Sequence, residues 1–215
     1  MTASAAAWSN AAFFVMGFYL LARAAKQKRA PLYLVGATSL LVGIGSFLFH
    51  TSGTFIGEFL DLSAMYFISA LMLTMEARRI WTMTLPKLVI CFALLSGGSM
   101  ALVLLFHKIG IVVFGVQVAL VYAVNIGWKF RRTASVDHRY AFWLGGTFAG
   151  ALGIWSLDLT GVMCEPKNHF FNGHSAWHVL TALCLYFFYR HHEQFVAPRS
   201  AADVAQPDGA WVLLR

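Results

Sequence analysis

The sequence predicts an all-α integral membrane protein: a seven-transmembrane-helix bundle with its amino terminus outside and its carboxyl terminus cytoplasmic. Three observations predict it. Of 215 residues, 59% are hydrophobic and only 12% charged, with a mean hydropathy of +0.67. Soluble domains carry about 25% charged residues, so this surface is too apolar for water. Apolar runs recur at the length needed to cross a hydrocarbon core about 30 Å thick. Finally, the lysines and arginines fall almost entirely on one side of those runs.

The first span is expected at Ala7–Ala24. Its charges (Arg23, Lys26, Lys28, Arg29) follow the apolar run, the reverse of a signal peptide, which predicts a retained helix with the amino terminus outside. The second span covers Leu32–His50, and a short loop with Gly53 and Gly57 turns the chain into the third, Ile56–Glu76. The fourth, Leu85–Phe106, contains Ser96, Gly97, Gly98 and Ser99, small residues that read as close helix packing. The fifth, sixth and seventh are expected at Ile109–Trp128, Tyr140–Leu159 and Gly173–Arg190. The short connections suit a monomeric bundle. From Glu193 the chain is rich in Ala, Pro and Asp, which predicts a flexible cytoplasmic tail over residues 193–215.

With this topology, all of the 16 lysines and arginines except Lys108 and Lys167 lie in the cytoplasm. The positive-inside rule expects that asymmetry. It accounts for the net charge of +7 and the pI near 9.6 with no nucleic-acid partner. Cys91 and Cys184 lie in apolar runs and read as packed thiols; with Cys164 the count is odd, and no disulfide framework is expected.

Mapped onto the spans, the unusual polar residues gather at the outer face. Ser46 and His50 lie four residues apart in the last turns of the second span, and Asp61 lies in the first turns of the third. Asp158 ends the sixth, while His174 and His178 share one side of the seventh at its start. Ionisable residues inside spans cost about 2.5–3.5 kcal/mol each at the centre and tend to be functional. Two histidines at i and i+4 with a third from another helix form a three-imidazole zinc site, its fourth position open for water. Zinc would lower the pKa of that water towards about 7. A carboxylate such as Asp61 can move its proton, and a hydroxyl such as Ser46 can donate to a developing oxyanion.

The other candidates read as structural. Glu58 begins the third span, where its charge suits the helix dipole. Glu76 beside Arg78 and Arg79 reads as a solvated cluster at a helix end. His107, His138, His191 and His192 belong to loops or cytoplasmic ends, and His169 to a loop.

These residues resemble the alkaline ceramidase family, within a superfamily of seven-helix membrane hydrolases that includes adiponectin-receptor-like proteins. The family's serine, histidine four later, aspartate eleven after that and distant H-x-x-x-H are met by Ser46, His50, Asp61, His174 and His178. "GSFLFH", "WSLDLTGVMC", "GHSAWHVLTAL" and the "WSN" of Trp8–Asn10 are similar to the surrounding family blocks. The resemblance implies catalytic zinc held by His50, His174 and His178, with catalytic roles for Asp61 and Ser46. It implies hydrolysis of the amide joining a sphingoid base to a fatty acid, in a catalytic domain over residues 1–192. Asp158 and Trp177 match positions that support the site from outside it. "MTASAAA" lacks the acidic, cysteine-containing stretch associated with calcium in eukaryotic members, which argues against calcium and leaves Cys164 without that partner. The expected partner is a membrane lipid, ceramide or a related N-acyl lipid, within the bilayer. Two alternatives stay open: a lipid-binding receptor-like protein with structural zinc, and a proton-coupled transporter. The absence of repeats and the one-sided placement of the polar groups rank the transporter last.

Overall fold

The computed structural model describes residues 3–81, 83–129, 136–162 and 172–196. Its helices are α1 (Ala3–Ser9), α2 (Ala11–Gln27), α3 (Tyr33–Ser52), α4 (Phe55–Ile80), α5 (Leu85–Leu105), α6 (Gly110–Lys129), α7 (Arg139–Leu159) and α8 (Gly173–His192). Short 3-10 turns at Ala30–Leu32 and His107–Ile109 lead into α3 and α6. No helix or strand of another kind organises the described residues, so the all-helical prediction stands. Cys164, Lys167, His169, Arg131, Arg132 and the chain from Ala197 onward lie outside them.

Each predicted apolar run coincides with a helix to within a few residues, the first being divided into α1 and α2 at Asn10. Four stretches are long and apolar enough to cross a membrane: Ala5–Gln27, Ala30–Ser52, Phe55–Ile80 and Leu85–Leu105. The apolar part of α6 is shorter, Gly110–Asn125. In α8 the polar positions His174, His178, Arg190, His191 and His192 dilute the apolar signal.

Helix α4 is flanked by α3, α5 and α6, and α8 packs on α7, α2, α1 and α3. One core cluster joins α2, α3, α4 and α8 through Leu20, Val35, Leu71 and Phe188. A second joins α4, α6, α7 and α8 through Tyr66, Phe114, Ala151 and Trp177. In α5 the expected small-residue packing is only half realised. Ser96 and Ser99 are buried, and Gln117 of α6 donates to the Ser99 hydroxyl at 2.6 Å. Gly97 and Gly98 have open space where a side chain would stand, because they point to the other face of the helix.

The Glu76 region corrects the sequence reading more sharply. Glu76 is fully buried and Arg79 nearly so. Arg79 Nη2 lies 2.8 Å from Glu76 Oε2, and His192 Nε2 lies 3.0 Å from Glu76 Oε1. Asn125 donates to Glu76 Oε1 at 2.8 Å, and Arg79 Nη1 meets His191 Nε2 at 2.7 Å. The i,i+3 spacing turns Glu76 and Arg79 to one face of α4. There the end of α8 covers them, so His191 and His192 are interior residues too. The chain stays docked past α8. Glu193 bridges Arg23 and Arg190, each at 2.8 Å, and Phe195 and Val196 are buried. Residues 193–196 of the expected tail are therefore part of the bundle's packing.

Candidate metal centre and its cavity

The backbone brings the polar residues together at the other end of the bundle. Gly45 precedes Ser46, and a Cβ there would lie 2.7 Å from the Leu60 carbonyl oxygen and 3.1 Å from Asp61 Cα. Only glycine lets α3 and α4 approach so closely beside Ser46 and Asp61. Gly173 does the same for α7 and α8, since a Cβ there would collide with Asp158 Cβ.

The start of α8 is then fixed by hydrogen bonds. Asn172 accepts from Ser175 N at 2.7 Å, and Ser175 Oγ accepts from Asn172 N at 2.9 Å, a reciprocal cap. The next free amide, that of His174, donates to Asp158 Oδ2 at 3.1 Å. A carboxylate also suits a helix amino terminus electrostatically. Asp158 thus holds the backbone that carries His174 and does not join the imidazoles themselves.

Three imidazoles meet in front of these helix ends. One nitrogen each from His50, His174 and His178 lies within 4.8 Å of the other two, a grouping able to hold a metal ion. The Nε2 atoms of His50 and His174 are 3.0 Å apart. His178 Nε2 lies 3.4 Å from Ser46 Oγ, and both residues are buried. Asp61 is half-buried and lines the same cavity as Ser46, His174 and His178. Glu58, a turn before Asp61, lines the same cavity.

Two supporting residues escaped the sequence reading. Ser9 Oγ donates to the Ala6 carbonyl at 3.0 Å and lies 2.8 Å from His178 Nδ1. A hydroxyl has one proton, so Ser9 accepts from Nδ1–H and leaves Nε2 bare towards the other imidazoles. That is the tautomer a metal ligand needs. Trp155 Nε1 donates to His174 Nδ1 at 3.1 Å. This contact makes Nδ1 the acceptor and places the His174 proton on Nε2, facing His50. With Nε2 on a metal, the proton would sit on Nδ1 and the indole contact would open. "WSN" and "WSLDL" were visible signals, but nothing in their spacing assigns either residue to an imidazole.

His174 and His178 open onto a cavity of about 370 Å³ lined by Phe13, Met65, Val118, Tyr122, Phe148 and Leu185, among others. Along α8 it extends from His174 to Leu185, about 16 Å at 1.5 Å per residue. Trp177 faces this cavity and not lipid: it is 8% exposed and its ring centroid lies 5.6 Å from those of both Trp155 and Phe148. Apolar helices thus enclose three imidazoles and two carboxylates, Asp61 and Glu58, at the polar end of an apolar cavity, as in a membrane-embedded lipid hydrolase.

The ceramidase family model matches residues 4–212, most of the chain. The chain belongs to the ceramidase family and is a ceramidase-like hydrolase. No curated protein matches it in sequence comparison.

Proposed function

We propose that this chain is a zinc-dependent intramembrane lipid amide hydrolase that cleaves ceramide to a sphingoid base and a fatty acid. The observation that carries the reading is the convergence of three imidazole nitrogens on one point beside Asp61, at the polar end of an apolar cavity. The donor set suits zinc: three neutral nitrogens, with His178 already held in the ligating tautomer by Ser9. Three ligands leave a position open, which favours a catalytic over a structural ion.

His50, His174 and His178 would hold the ion, and what it supplies when bound is Lewis-acid activation of water at neutral pH. The cavity takes one acyl chain, its length of about 16 Å matching one leaflet of a core about 30 Å thick. The substrate's amide carbonyl then rests near His178 and Ser46. The Asp61 carboxylate takes the proton of the attacking water and returns it to the leaving amine nitrogen. The Ser46 hydroxyl donates to the carbonyl oxygen as charge develops there. Asp158 and Trp177 act from outside the reacting atoms, through the α8 backbone and the cavity wall. The seven helices cross the bilayer with the amino terminus outside, which puts the centre near the non-cytoplasmic face.

The test uses purified full-length protein in lipid nanodiscs. Metal content is measured by elemental mass spectrometry, and fatty acid release from ceramide by liquid chromatography. One zinc per chain, with both zinc and turnover lost in His178→Ala, is expected. Undiminished turnover after complete removal of the metal would end the reading.

A further inference from the structure

The end of the bundle remote from the histidines carries a second cleft, of about 270 Å³. Helices α3, α4 and α5, three of the four apolar stretches long enough to span a membrane, form its walls. Leu34 comes from α3, Leu71 and Arg78 from α4, and Leu88 and Phe92 from α5; His192 contributes to the floor. The cleft belongs neither to the catalytic cavity nor to the buried Glu76 network, which it only borders.

Its polarity runs in one direction. Arg78 lies in the last turn of α4, near the end of the apolar stretch Phe55–Ile80. From Arg78 back to Leu71 the wall descends about 10 Å and, apart from Thr74, is apolar. Phe92 on α5 marks a similar depth from Leu85. Among the described residues no carboxylate lines the cleft, and His192 in its lining is engaged by Glu76 at 3.0 Å. The surrounding helix ends add Lys26 at the end of α2 and Lys87 in the first turn of α5. A cation at the end of an apolar slot complements one lipid only in part if that lipid is zwitterionic. It complements an anionic lipid fully, and basic pockets between spanning helices bind such headgroups.

We infer that the α3–α4–α5 cleft is a binding site for an anionic glycerophospholipid of the leaflet opposite the histidine centre, with one acyl chain in the slot and the phosphate at Arg78. The lipid would hold α3 and α5 at fixed positions on α4; α3 also carries His50, and α4 carries Asp61.

Native mass spectrometry of the full chain tests this, with phosphatidylglycerol and phosphatidylcholine of identical acyl chains, and free oleate as a third arm. Wild type should retain phosphatidylglycerol in preference. Arg78→Gln should lower that retention about fivefold, the worth of one interfacial cation. Val89→Trp, at a lipid-facing cleft position 56% exposed, should displace lipid of either headgroup while leaving the charge in place. Arg139→Gln, at an exposed arginine of α7 paired with Asp137, should leave retention unchanged. Equal retention of the two phospholipids, preference for oleate, an Arg139→Gln effect as large as that of Arg78→Gln, or undiminished lipid on Val89→Trp would each overturn the inference.

Discussion

Ser9 Oγ lies 2.8 Å from His178 Nδ1, so a hydroxyl at the amino-terminal end of the chain sets the tautomer of an imidazole near its carboxyl-terminal end. Both residues are buried, away from bulk solvent. Outer partners of this kind usually account for 10–100-fold in metal affinity. Ser9→Ala is therefore expected to weaken zinc binding by about 10–100-fold, read by chelator competition. Ser9→Thr, which keeps the hydroxyl, should restore most of the affinity. Equal affinity in all three proteins would show the contact to be packing alone.

Asp61 is expected to move protons without holding the ion. Asp61→Asn should lower kcat about 10²–10⁴-fold, the usual worth of a general acid–base group. Zinc content should stay at the wild-type level, because the three imidazoles are unchanged. Loss of zinc in Asp61→Asn would make the carboxylate a fourth ligand and favour a structural ion.

Trp155 reports on loading. Its indole donates to His174 Nδ1, a contact compatible only with a proton on Nε2. Adding zinc to metal-free protein should therefore change tryptophan fluorescence, and Trp155→Phe should remove most of that change while still binding zinc. An identical signal in the variant would place its origin at another tryptophan.

Much of this arrangement was legible in the sequence because membrane helices leave two strong signals. Apolar length located the helices apart from the break at Asn10 that divides α1 from α2, and the cost of polar groups in hydrocarbon singled out Ser46, His50, Asp61, His174 and His178. What stayed hidden depends on contacts between helices distant in sequence. Ser9 reads as one more small residue until α1 is seen against α8. Gly45 and Gly173 act through the neighbouring backbone they admit. Glu76 and Arg79 look solvated because charge at a helix end usually is. Their burial follows from the fold of His191, His192 and Phe195 over them, which no local pattern encodes.

Close approach at Gly45 gives a prediction on geometry. A methyl group there would sit 2.7 Å from the Leu60 carbonyl oxygen, a backbone atom that cannot swing away. Gly45→Ala should push α3 from α4 and separate Ser46 and His50 from Asp61. Displacements of about 1 Å can cost 10²-fold in rate. The expected result is a loss of kcat of about that size together with weaker zinc binding, since His50 moves with α3 while His174 and His178 stay on α8. Retention of full kcat would mean that the two helices can part without disturbing the site.

The buried network at the far end should matter for stability and not for chemistry. Removing one partner of a buried ion pair leaves the other charged in a dry site and costs about 3–5 kcal/mol. Arg79 would face this in Glu76→Gln, because its guanidinium lies against Glu76 at 2.8 Å and has the Phe195 ring 4.8 Å away. Replacing Glu76 and Arg79 together by Met removes the uncompensated charge, so the double variant should be more stable than Glu76→Gln alone. Thermal unfolding in nanodiscs measures both, and zinc content should stay at one per chain throughout. If Glu76→Gln unfolds at the wild-type temperature, the pair is hydrated after all and the sequence's first impression of a solvated cluster is the correct one.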